Sequence, residues 1–334
     1  MSAPNSPLID RFGRPHTSLR ISVTDRCNIR CFYCMPETNV VFQPREQLLS
    51  FEEIVQFTRI ACQLGIRKVR ITGGEPLVRQ ELPELIKRLS NLDGLDEIAL
   101  TTNGILLADQ AIPLKDAGLH RINISLDTLS ESKFQQLARR DELPRVLAGI
   151  DAALAANFHQ VRLNALAIAG LTETEVIPLV RFAADRKLEM RFIEYMPLDA
   201  DQQWNTGQVL SGKQILQILE AEWGRFEPTE RTDPSQPATT YEAPGTSIRV
   251  GFINSVTESF CGQCNRLRLT ADGKIRNCLF SVEEWDVRDI LRRNGSDEAI
   301  AREIVTAVEQ KRAGHGSDDE QFVRPERAMY QIGG

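Results

Sequence analysis

The feature that most restricts the fold of this chain is a regular alternation of short apolar segments and longer amphipathic segments between Leu19 and Met196. This is the pattern of successive βα units in a parallel sheet. Helices are predicted between the strands, for example over residues 50–64, which open with a capping-box spacing, and 173–187. The six predicted strands cover residues 19–23, 68–72, 97–102, 121–126, 160–167 and 189–195. Six such units predict an α/β fold, a partial (βα)6 TIM-like barrel.

The predicted strands place polar residues on one face and aliphatic residues on the other. Successive side chains of a strand point to opposite faces, so this alternation separates the two sides of the sheet. The interior of a parallel barrel is usually filled by branched aliphatic side chains, whereas here we expect a polar, wet lumen. A two-layer antiparallel sheet with one solvated face is the alternative, but the intervening helices fit it poorly. The polar positions are Arg20, Ser22, Arg70, Thr72, Arg121, Asn123, Ser125, Arg162 and Asn164.

The alternation stops after Leu219, where prolines at positions 228, 234, 237 and 244 predict a loop or an extended crossing. Short strands are predicted at 247–254 and 267–279, and the second of these turns at Asp272-Gly273, a strong hairpin dipeptide. A helix is predicted from 286 to 312. We therefore expect two domains, a barrel over residues 1–220 and a C-terminal extension over residues 221–334.

Composition excludes several classes of protein. With 40 basic and 46 acidic residues among 334, the net charge is −6, so nucleic-acid binding driven by total charge is not expected. No apolar run approaches the roughly 20 residues that span a bilayer, and the start lacks the apolar core of a signal peptide, which predicts a cytoplasmic protein without a membrane partner. Seven cysteines are too few for a disulfide scaffold and fall instead into two groups of three and one stray.

The first cysteine group, Cys27, Cys31 and Cys34, directly follows the first predicted strand. Active sites of βα barrels are built at the carboxyl ends of the strands, so chemistry is expected at this loop. Three thiolates can bind three corners of a cubane iron–sulfur cluster and leave one iron open to a ligand. A structural zinc site needs a fourth protein ligand, and the nearest histidine, His16, has no convincing spacing. Three buried structural cysteines are the remaining alternative.

The segment 27–36, with aromatic residues before its third cysteine, resembles the cluster loop of radical S-adenosylmethionine enzymes. This resemblance implies that the open iron binds the amino and carboxylate groups of S-adenosylmethionine. It also implies that one electron from the reduced cluster breaks the sulfonium bond and yields a 5′-deoxyadenosyl radical.

A Gly-Gly-Glu-Pro segment at residues 73–76 follows the second predicted strand. The glycines permit close backbone approach, and Glu75 offers an acceptor for a ligand ammonium. Alone this would be an ordinary turn, but in this chain it resembles the motif with which radical S-adenosylmethionine enzymes bind the methionyl amino group. Ser125 and Met196, near the ends of the fourth and sixth strands, match other cofactor contacts, with core packing as the alternative for Met196.

The second cysteine group consists of Cys261, Cys264 and Cys278. If Asp272-Gly273 is a two-residue hairpin loop, Leu267 pairs with Cys278. Cys278 then returns to within about three residues of Cys264, roughly 10 Å along the strand. Three thiolates without a convincing fourth ligand favour a second open-iron cluster over structural zinc.

Arg266 and Arg268 lie two residues apart on one predicted strand, so both guanidinium groups project from the same face. Such a pair beside an open cluster suits a phosphate or a purine, because guanidinium forks match phosphate oxygens. Two solvated arginines on an edge strand are the alternative. Together with Arg20, Arg70 and Arg162 they make five inward cations, which need an anionic partner.

Three segments, residues 19–27, 260–279 and 329–334, resemble the GTP 3′,8-cyclase family of molybdenum cofactor biosynthesis, and the resemblance covers nearly the whole chain. In that family the Gly-Gly tail threads back into the active site. A terminal pair of glycines would otherwise be read as a frayed end.

The resemblance implies a role for each matching position. Cluster ligands are Cys27, Cys31 and Cys34 for the first [4Fe-4S] cluster and Cys261, Cys264 and Cys278 for the second. Contacts to S-adenosylmethionine are Tyr33, Gly74, Glu75, Ser125 and Met196. Contacts to GTP are Arg20, Arg70, Thr101, Arg162, Arg266, Leu267 and Arg268, and the catalytic set is Arg266, Arg268, Gly333 and Gly334. The family usually has lysine at the position of Arg162, so a planar fork replaces an ammonium there.

The implied reaction is abstraction of the ribose 3′ hydrogen of GTP by the 5′-deoxyadenosyl radical, followed by attack of the sugar radical on guanine C8. The product is 3′,8-cyclo-7,8-dihydro-GTP. The family further implies a flavodoxin- or ferredoxin-like electron donor, transfer of the product to cyclic pyranopterin monophosphate synthase, and a homodimer.

Two other functions explain part of the sequence. A peptide-modifying radical S-adenosylmethionine maturase would also carry an auxiliary cluster, but its C-terminal segment is usually longer and richer in cysteine. An iron–sulfur electron carrier or a zinc-stabilised binding module would leave the arginine-lined lumen without a purpose. The stray Cys62 lies on the first predicted helix, where we expect it to be buried as a small apolar residue.

Overall fold

A computed structural model describes residues 7–231, 233–293, 295–316 and 322–333. Its strands are β1 (Ser18–Ser22), β2 (Lys68–Thr72), β3 (Glu97–Thr102), β4 (Arg121–Ser125), β5 (Gln160–Ala167), β6 (Glu189–Glu194), β7 (Glu227–Pro228), β8 (Thr239–Glu242), β9 (Arg249–Ile253), β10 (Arg266–Leu269), β11 (Lys274–Arg276) and β12 (Trp285–Asp286). Its helices are α1 (Phe51–Gln63), α2 (Leu82–Ser90), α3 (Leu107–Asp116), α4 (Glu131–Ala138), α5 (Leu143–Ala155), α6 (Val176–Asp185), α7 (Gly212–Trp223), α8 (Arg288–Arg292), α9 (Asp297–Glu309) and α10 (Met329–Ile332).

The strands form one sheet in the order β12-β11-β10-β1-β2-β3-β4-β5-β6-β9-β8-β7. Strands β1 to β6 are parallel and sequential, which confirms the predicted partial (βα)6 barrel. The C-terminal segment adds one parallel strand at each edge, β10 beside β1 and β9 beside β6. Antiparallel ribbons then extend the sheet beyond β10 and β9. The C-terminal segment therefore borders the lumen on two sides.

The apolar faces of the strands form a continuous core beneath the helices. Leu19 and Ile21 of β1 and Leu267 and Leu269 of β10 are buried in this same core. Because the core and the sheet both cross residue 220, the two predicted domains share their packing, and their separation stays a prediction from the sequence.

Helix α1 has the predicted capping box. The Ser50 hydroxyl accepts a hydrogen bond from the Glu53 amide at 3.2 Å, and the Glu53 carboxylate accepts one from the Ser50 amide at 2.7 Å. These two bonds satisfy amide groups that would otherwise lack partners at the helix start. Cys62, on the buried face of this helix, is 4% exposed, as expected.

The prediction of one continuous helix over residues 286–312 is wrong, because the structure has two helices there, α8 and α9. The Ser296 hydroxyl accepts a hydrogen bond from the Ala299 amide at 3.3 Å and so starts α9 anew. The other predicted helix, 173–187, is observed with a later start, at Val176.

The predicted two-residue loop of the C-terminal hairpin is also wrong. The observed register pairs Arg268 with Arg276 and Leu269 with Ile275, and the Thr270 amide donates to the Lys274 carbonyl at 2.9 Å. The loop therefore consists of residues 271–273, and Cys278 lies beyond the strand. The Thr270 hydroxyl accepts a hydrogen bond from the Lys274 amide at 2.9 Å. Gly273 has a φ of +80°, which a three-residue hairpin loop requires at its last position.

Helices α3 and α5 pack closely because Gly149 lies between them. A Cβ atom at this position would lie 2.2 Å from the carbonyl oxygen of Gly104.

Within the described ranges, no helix is long and apolar enough to span a membrane.

We predict that Gly149→Ala lowers the free energy of unfolding by about 1–3 kcal/mol, the usual cost of overpacking. Helix propensity alone would favour alanine by about 1 kcal/mol, so the sign of the change separates the two effects. Urea denaturation followed by circular dichroism measures it, with Ala152→Gly on the same helix as the control for propensity. A Gly149→Ala protein as stable as the wild type would contradict the predicted steric conflict.

Candidate active site

A cavity of about 700 Å³ occupies the lumen, and residues at both the amino and the carboxyl ends of the parallel strands line it. Both cysteine groups and most of the predicted ligand contacts line this one cavity. The predicted residues that line it are Cys27, Cys31, Cys34, Cys261, Cys264, Cys278, Tyr33, Gly74, Glu75, Ser125, Met196, Arg20, Arg70, Thr101, Arg162, Arg266 and Arg268. The polar lumen expected from the strand pattern is therefore observed.

Gly73 and Gly74 allow the loop after β2 to rest directly on the loop after β1. A Cβ atom at Gly74 would lie 2.6 Å from the carbonyl oxygen of Arg26, and one at Gly73 would lie 2.7 Å from that of Thr24. The Gly74 amide donates to the Thr24 carbonyl at 2.8 Å. The two glycines thus fix the position of the loop that carries the first cysteine group.

Glu75 is buried, and its carboxylate is held by three donors from the chain itself. It accepts hydrogen bonds from the Leu77 amide at 2.9 Å, the Asn103 amide at 2.7 Å and the Thr102 hydroxyl at 2.7 Å. Burial raises the pKa of Glu75 to about 7, against the opposing effect of these bonds. A carboxylate has about four acceptor positions, so roughly one remains for a ligand ammonium.

Asn103 and Asp127, which the sequence analysis did not identify, also line the cavity. The side-chain amide nitrogen of Asn103, Nδ2, lies 3.9 Å from the Cys27 sulfur. Asp127 accepts a hydrogen bond from the Tyr33 hydroxyl and one from the Leu166 amide. Asn103 directly follows β3, and Asp127 lies two residues after β4. Site residues of a barrel are expected at the carboxyl ends of its strands, so the sequence positions of these two residues could have identified them.

The cysteines of the first group are half-buried and lie near acidic side chains and each other. Burial, with the Glu75 carboxylate, raises the pKa of Cys27 to about 11, and burial with the neighbouring thiol raises that of Cys34 to about 12. The pKa of Cys31 is also well above its ordinary value for the same reasons. Without a metal these groups are therefore protonated thiols, and a bound metal would displace their protons.

The second cysteine group has a different electrostatic environment. The Arg266 guanidinium lies 3.5 Å from the Cys264 sulfur, and the Lys311 ammonium lies 3.4 Å from the same atom. Burial raises the pKa of Cys264, but these two cations outweigh it and lower the pKa to about 6. Cys264 is therefore prepared as a thiolate, the form that binds metals.

Both groups present the donor set of an open-iron cluster, three thiols facing one cavity. In the part of the chain that the structure describes, no three His, Cys, Asp or Glu side chains converge on a single metal ion. A cubane makes a different demand, because each of its thiolates binds a separate iron. The thiols that surround the lumen at each end fit that demand.

Three arginines form a registered row across neighbouring strands. Arg20 of β1 is paired with Arg268 of β10 on one side and with Arg70 of β2 on the other. Like charges directly opposite in a sheet destabilise it. Burial and the nearby Arg266 lower the pKa of Arg20 to about 9, and burial with Arg20 lowers those of Arg70 and Arg268. The row therefore concentrates positive charge that an anion would compensate.

The expected partner of Arg162 is supplied by the chain, which the sequence analysis missed. The Arg162 guanidinium donates to the Glu189 carboxylate at 3.1 Å, and Arg191 donates to the same carboxylate. Arg162 thus differs from Arg70 of the row, which donates to the Thr101 hydroxyl at 3.3 Å and forms no ion pair with a carboxylate in the described part of the chain.

The C-terminal tail returns to the carboxyl ends of β1 and β2. Gly333 has a φ of +85°, and a Cβ atom there would lie 2.7 Å from side-chain atoms of Ser22 and Thr72. Its carbonyl accepts a hydrogen bond from the Arg268 guanidinium at 2.7 Å. Gly334 lies outside the described residues. The side chain of Leu267 lies in the apolar core and does not face the cavity. Its main chain takes part in the pairing of the strands.

An N-terminal cluster braces the second cysteine group. The Arg14 guanidinium pairs with Asp10 at 2.6 Å and donates to the carbonyls of Cys261 at 2.7 Å and Arg312 at 2.7 Å. His16 is buried beside it and donates from Nδ1 to the Arg14 carbonyl. Burial, with the charge of Lys311, lowers the pKa of His16 to about 3.

Sequence profiles of two families match consecutive parts of the chain. The Radical SAM superfamily profile matches residues 21–183, and the Molybdenum Cofactor Synthesis C profile matches residues 188–317. Among curated relatives, the GTP 3′,8-cyclase of Rhodopirellula baltica is 52% identical over 98% of this chain and 92% of its own length. The GTP 3′,8-cyclase of Corynebacterium glutamicum is 44% identical over 99% of this chain and 90% of its own length.

A solved structure supports the fold. The Streptococcus suis SuiB structure bound to S-adenosylmethionine matches with a TM-score of 0.58 at 15% identity, over 88% of this chain and 66% of that chain. At this identity the likeness concerns the fold alone.

The buried neutral state of His16 predicts a dependence of stability on pH. Between about pH 3 and 6.5 the unfolded chain binds a proton at His16 that the folded chain excludes. The contribution of His16 is therefore present above pH 6.5 and is lost on acidification, by about 1.4 kcal/mol per pH unit.

The measurement is the difference in free energy of unfolding between the wild type and His16→Gln at pH 6.5, 5.5 and 4.5. We expect the wild type to lose stability relative to the variant as the pH falls. A difference that does not change with pH would show that His16 is not held neutral.

Proposed function

The chain belongs to the GTP 3′,8-cyclase family of radical S-adenosylmethionine enzymes in molybdenum cofactor biosynthesis, and we propose that it converts GTP to 3′,8-cyclo-7,8-dihydro-GTP. The observation that supports this proposal most directly is a row of three arginines inside a lumen that has a cysteine group at each end. The row consists of Arg268, Arg20 and Arg70. A triphosphate supplies the negative charge that this row needs, and an open iron supplies a ligand site for each of two small molecules.

The first cysteine group holds the [4Fe-4S] cluster that binds S-adenosylmethionine. When bound there, S-adenosylmethionine would supply a 5′-deoxyadenosyl radical, which would leave as 5′-deoxyadenosine once it had taken the ribose 3′ hydrogen of GTP. Joining C3′ to guanine C8 would then need one further electron from the reductant and one proton to give the 7,8-dihydro product. Tyr33, Gly74, Ser125 and Met196 line the cavity around this position and contact the cofactor. Glu75 holds the loops after β2 and β3 together and accepts from the cofactor's ammonium with its remaining lone pair.

The second cysteine group holds the other [4Fe-4S] cluster, whose open iron binds the guanine of GTP. Arg20, Arg70, Arg266 and Arg268 bind the triphosphate, and Thr101 orients Arg70. Because Arg162 is paired with Glu189, it contributes less net charge to the anion than the row does. These contacts fix the ribose toward the first group and exclude water from the lumen.

The tail contributes to the site through Gly333, whose carbonyl orients the Arg268 guanidinium. Gly334, which lies outside the described residues, is assigned to the catalytic set on family resemblance alone. Arg266 and Arg268 complete the catalytic set by holding the triphosphate in place. Any Cβ atom at Gly333 would meet Ser22 and Thr72, which explains why glycine is needed at this turn.

Family membership supports three further parts of the proposal. Electrons come from a flavodoxin- or ferredoxin-like donor, the product passes to cyclic pyranopterin monophosphate synthase, and the protein forms a homodimer.

The proposal is tested by anaerobic incubation of the reconstituted protein with GTP, S-adenosylmethionine and a reductant, followed by product identification by mass spectrometry and NMR. We expect 3′,8-cyclo-7,8-dihydro-GTP and 5′-deoxyadenosine from the wild type. Cys27→Ser should form neither, because the first cluster loses a ligand. Normal turnover by this variant would refute the assignment of the first group.

Arg266→Ala should weaken GTP binding by about tenfold or more, the loss expected for a charge-assisted contact. Cleavage of S-adenosylmethionine without cyclisation should persist, since the first cluster is unchanged. Equilibrium binding of GTP and the ratio of 5′-deoxyadenosine to cyclised product measure the two effects. Arg225→Ala, whose side chain is 83% exposed, is the control, and equal GTP affinity in both variants would remove Arg266 from the site.

Iron and sulfide quantification distinguishes the alternatives. Two cubanes predict about eight irons per chain, whereas a single cluster predicts about four. Zinc in place of iron would indicate a structural module and would reject the proposed reaction.

A further inference from the structure

Lys311 lies just beyond the end of α9 and is buried, with only 3% of its surface exposed. Its ammonium donates to the Arg266 carbonyl at 2.7 Å and to the Cys264 sulfur at 3.4 Å. The side chain therefore joins the end of a C-terminal helix to the start of β10, directly at one of the second-group cysteines.

The acceptors of this buried ammonium are a carbonyl and a thiol, not a carboxylate. Burying a charge is costly unless an opposite charge or several hydrogen bonds compensate it. Cys264 and Cys278, as thiolates, favour the charged form of the Lys311 ammonium, whereas the positive charge of Arg266 disfavours it. The position of Lys311 is thus matched to a second cysteine group in its thiolate form.

The first cysteine group has no comparable contact among the hydrogen bonds of the described residues. There the Cys27 sulfur is approached by the neutral Asn103 amide at 3.9 Å, and the nearby Arg30 donates to the Cys27 carbonyl instead of the sulfur. Among the described residues, a cationic side chain hydrogen-bonded to a cysteine sulfur is therefore found at the second group and not at the first.

Cys264 and Arg266 line the cavity, but Lys311 does not. Because its side chain is buried and lines no part of the cavity, we expect no direct contact between Lys311 and a ligand in the lumen. Any effect on the reaction must therefore pass through the second cluster, which makes Lys311 a positioning residue and not a catalytic one.

We propose that Lys311 holds the Cys264 thiolate in place and raises the reduction potential of the second cluster above that of the same site without the ammonium. This inference rests on the proposed function, which assigns a cluster to the second group. A fixed positive charge beside a cluster stabilises its reduced form, which carries one more negative charge. The same charge withdraws electron density from the open iron and favours binding of a purine ligand there.

The test compares the holoenzyme with Lys311→Met, which removes the charge and keeps the chain length, and with Lys311→Arg, which keeps the charge. Anaerobic potentiometric titration followed by EPR gives the midpoint potential of each cluster. A variant with serine at the three first-group cysteines identifies the signal of the second cluster. Lys87→Met, at an exposed position of α2, is the matched control.

We expect Lys311→Met to make reduction of the second cluster about tenfold less favourable, a shift of about 59 mV to more negative potential for one electron. The first cluster should not shift, Lys311→Arg should stay close to the wild type, and Lys87→Met should change neither. An unshifted second cluster in Lys311→Met would overturn the inference.

Loss of the cluster from a variant is also decisive. If Lys311→Met loses the second cluster while Lys311→Arg keeps it, the charge is required, which supports the proposal. If both variants lose it, the site needs the shape of lysine and the proposal is wrong. A wild type without a second-cluster signal would refute the two-cluster part of the proposed function together with this inference.

Discussion

The parallel pairing of β10 with β1 is the contact on which the candidate site depends. It places Arg268 beside Arg20, which β2 already places beside Arg70, and so concentrates positive charge at one level of the sheet. It also brings the second cysteine group to the lumen that the first group faces. This arrangement opposes stability in the absence of an anion, so the barrel is built for a ligand that supplies charge.

The two cysteine groups share a donor set and differ in their surroundings. Burial among acidic and thiol groups raises the pKa values at the first, whereas Arg266 and Lys311 lower that of Cys264 at the second. A cluster at the second site would therefore experience a more positive field. This difference in charge is consistent with the proposed roles, in which the first site cleaves the cofactor and the second holds the substrate.

Much of the barrel was predictable because its strands are local patterns. The alternation of polar and aliphatic residues in β1 to β6 identified both the strands and the polar lumen. The two-residue hairpin and the long C-terminal helix failed for local reasons that pattern alone did not weigh. The Thr270 side chain caps a wider turn, and Ser296 starts a second helix.

The sequence by itself determined the ligand chemistry, because the spacing within each cysteine group and the arginines on each strand are properties of short segments. Only the tertiary structure decided which groups meet. The Arg162–Glu189 pair, the contact of Lys311 with Cys264 and the return of Gly333 to Arg268 join residues that lie 27, 47 and 65 positions apart. Such contacts depend on the order of strands in the sheet, and no local pattern of side chains encodes that order.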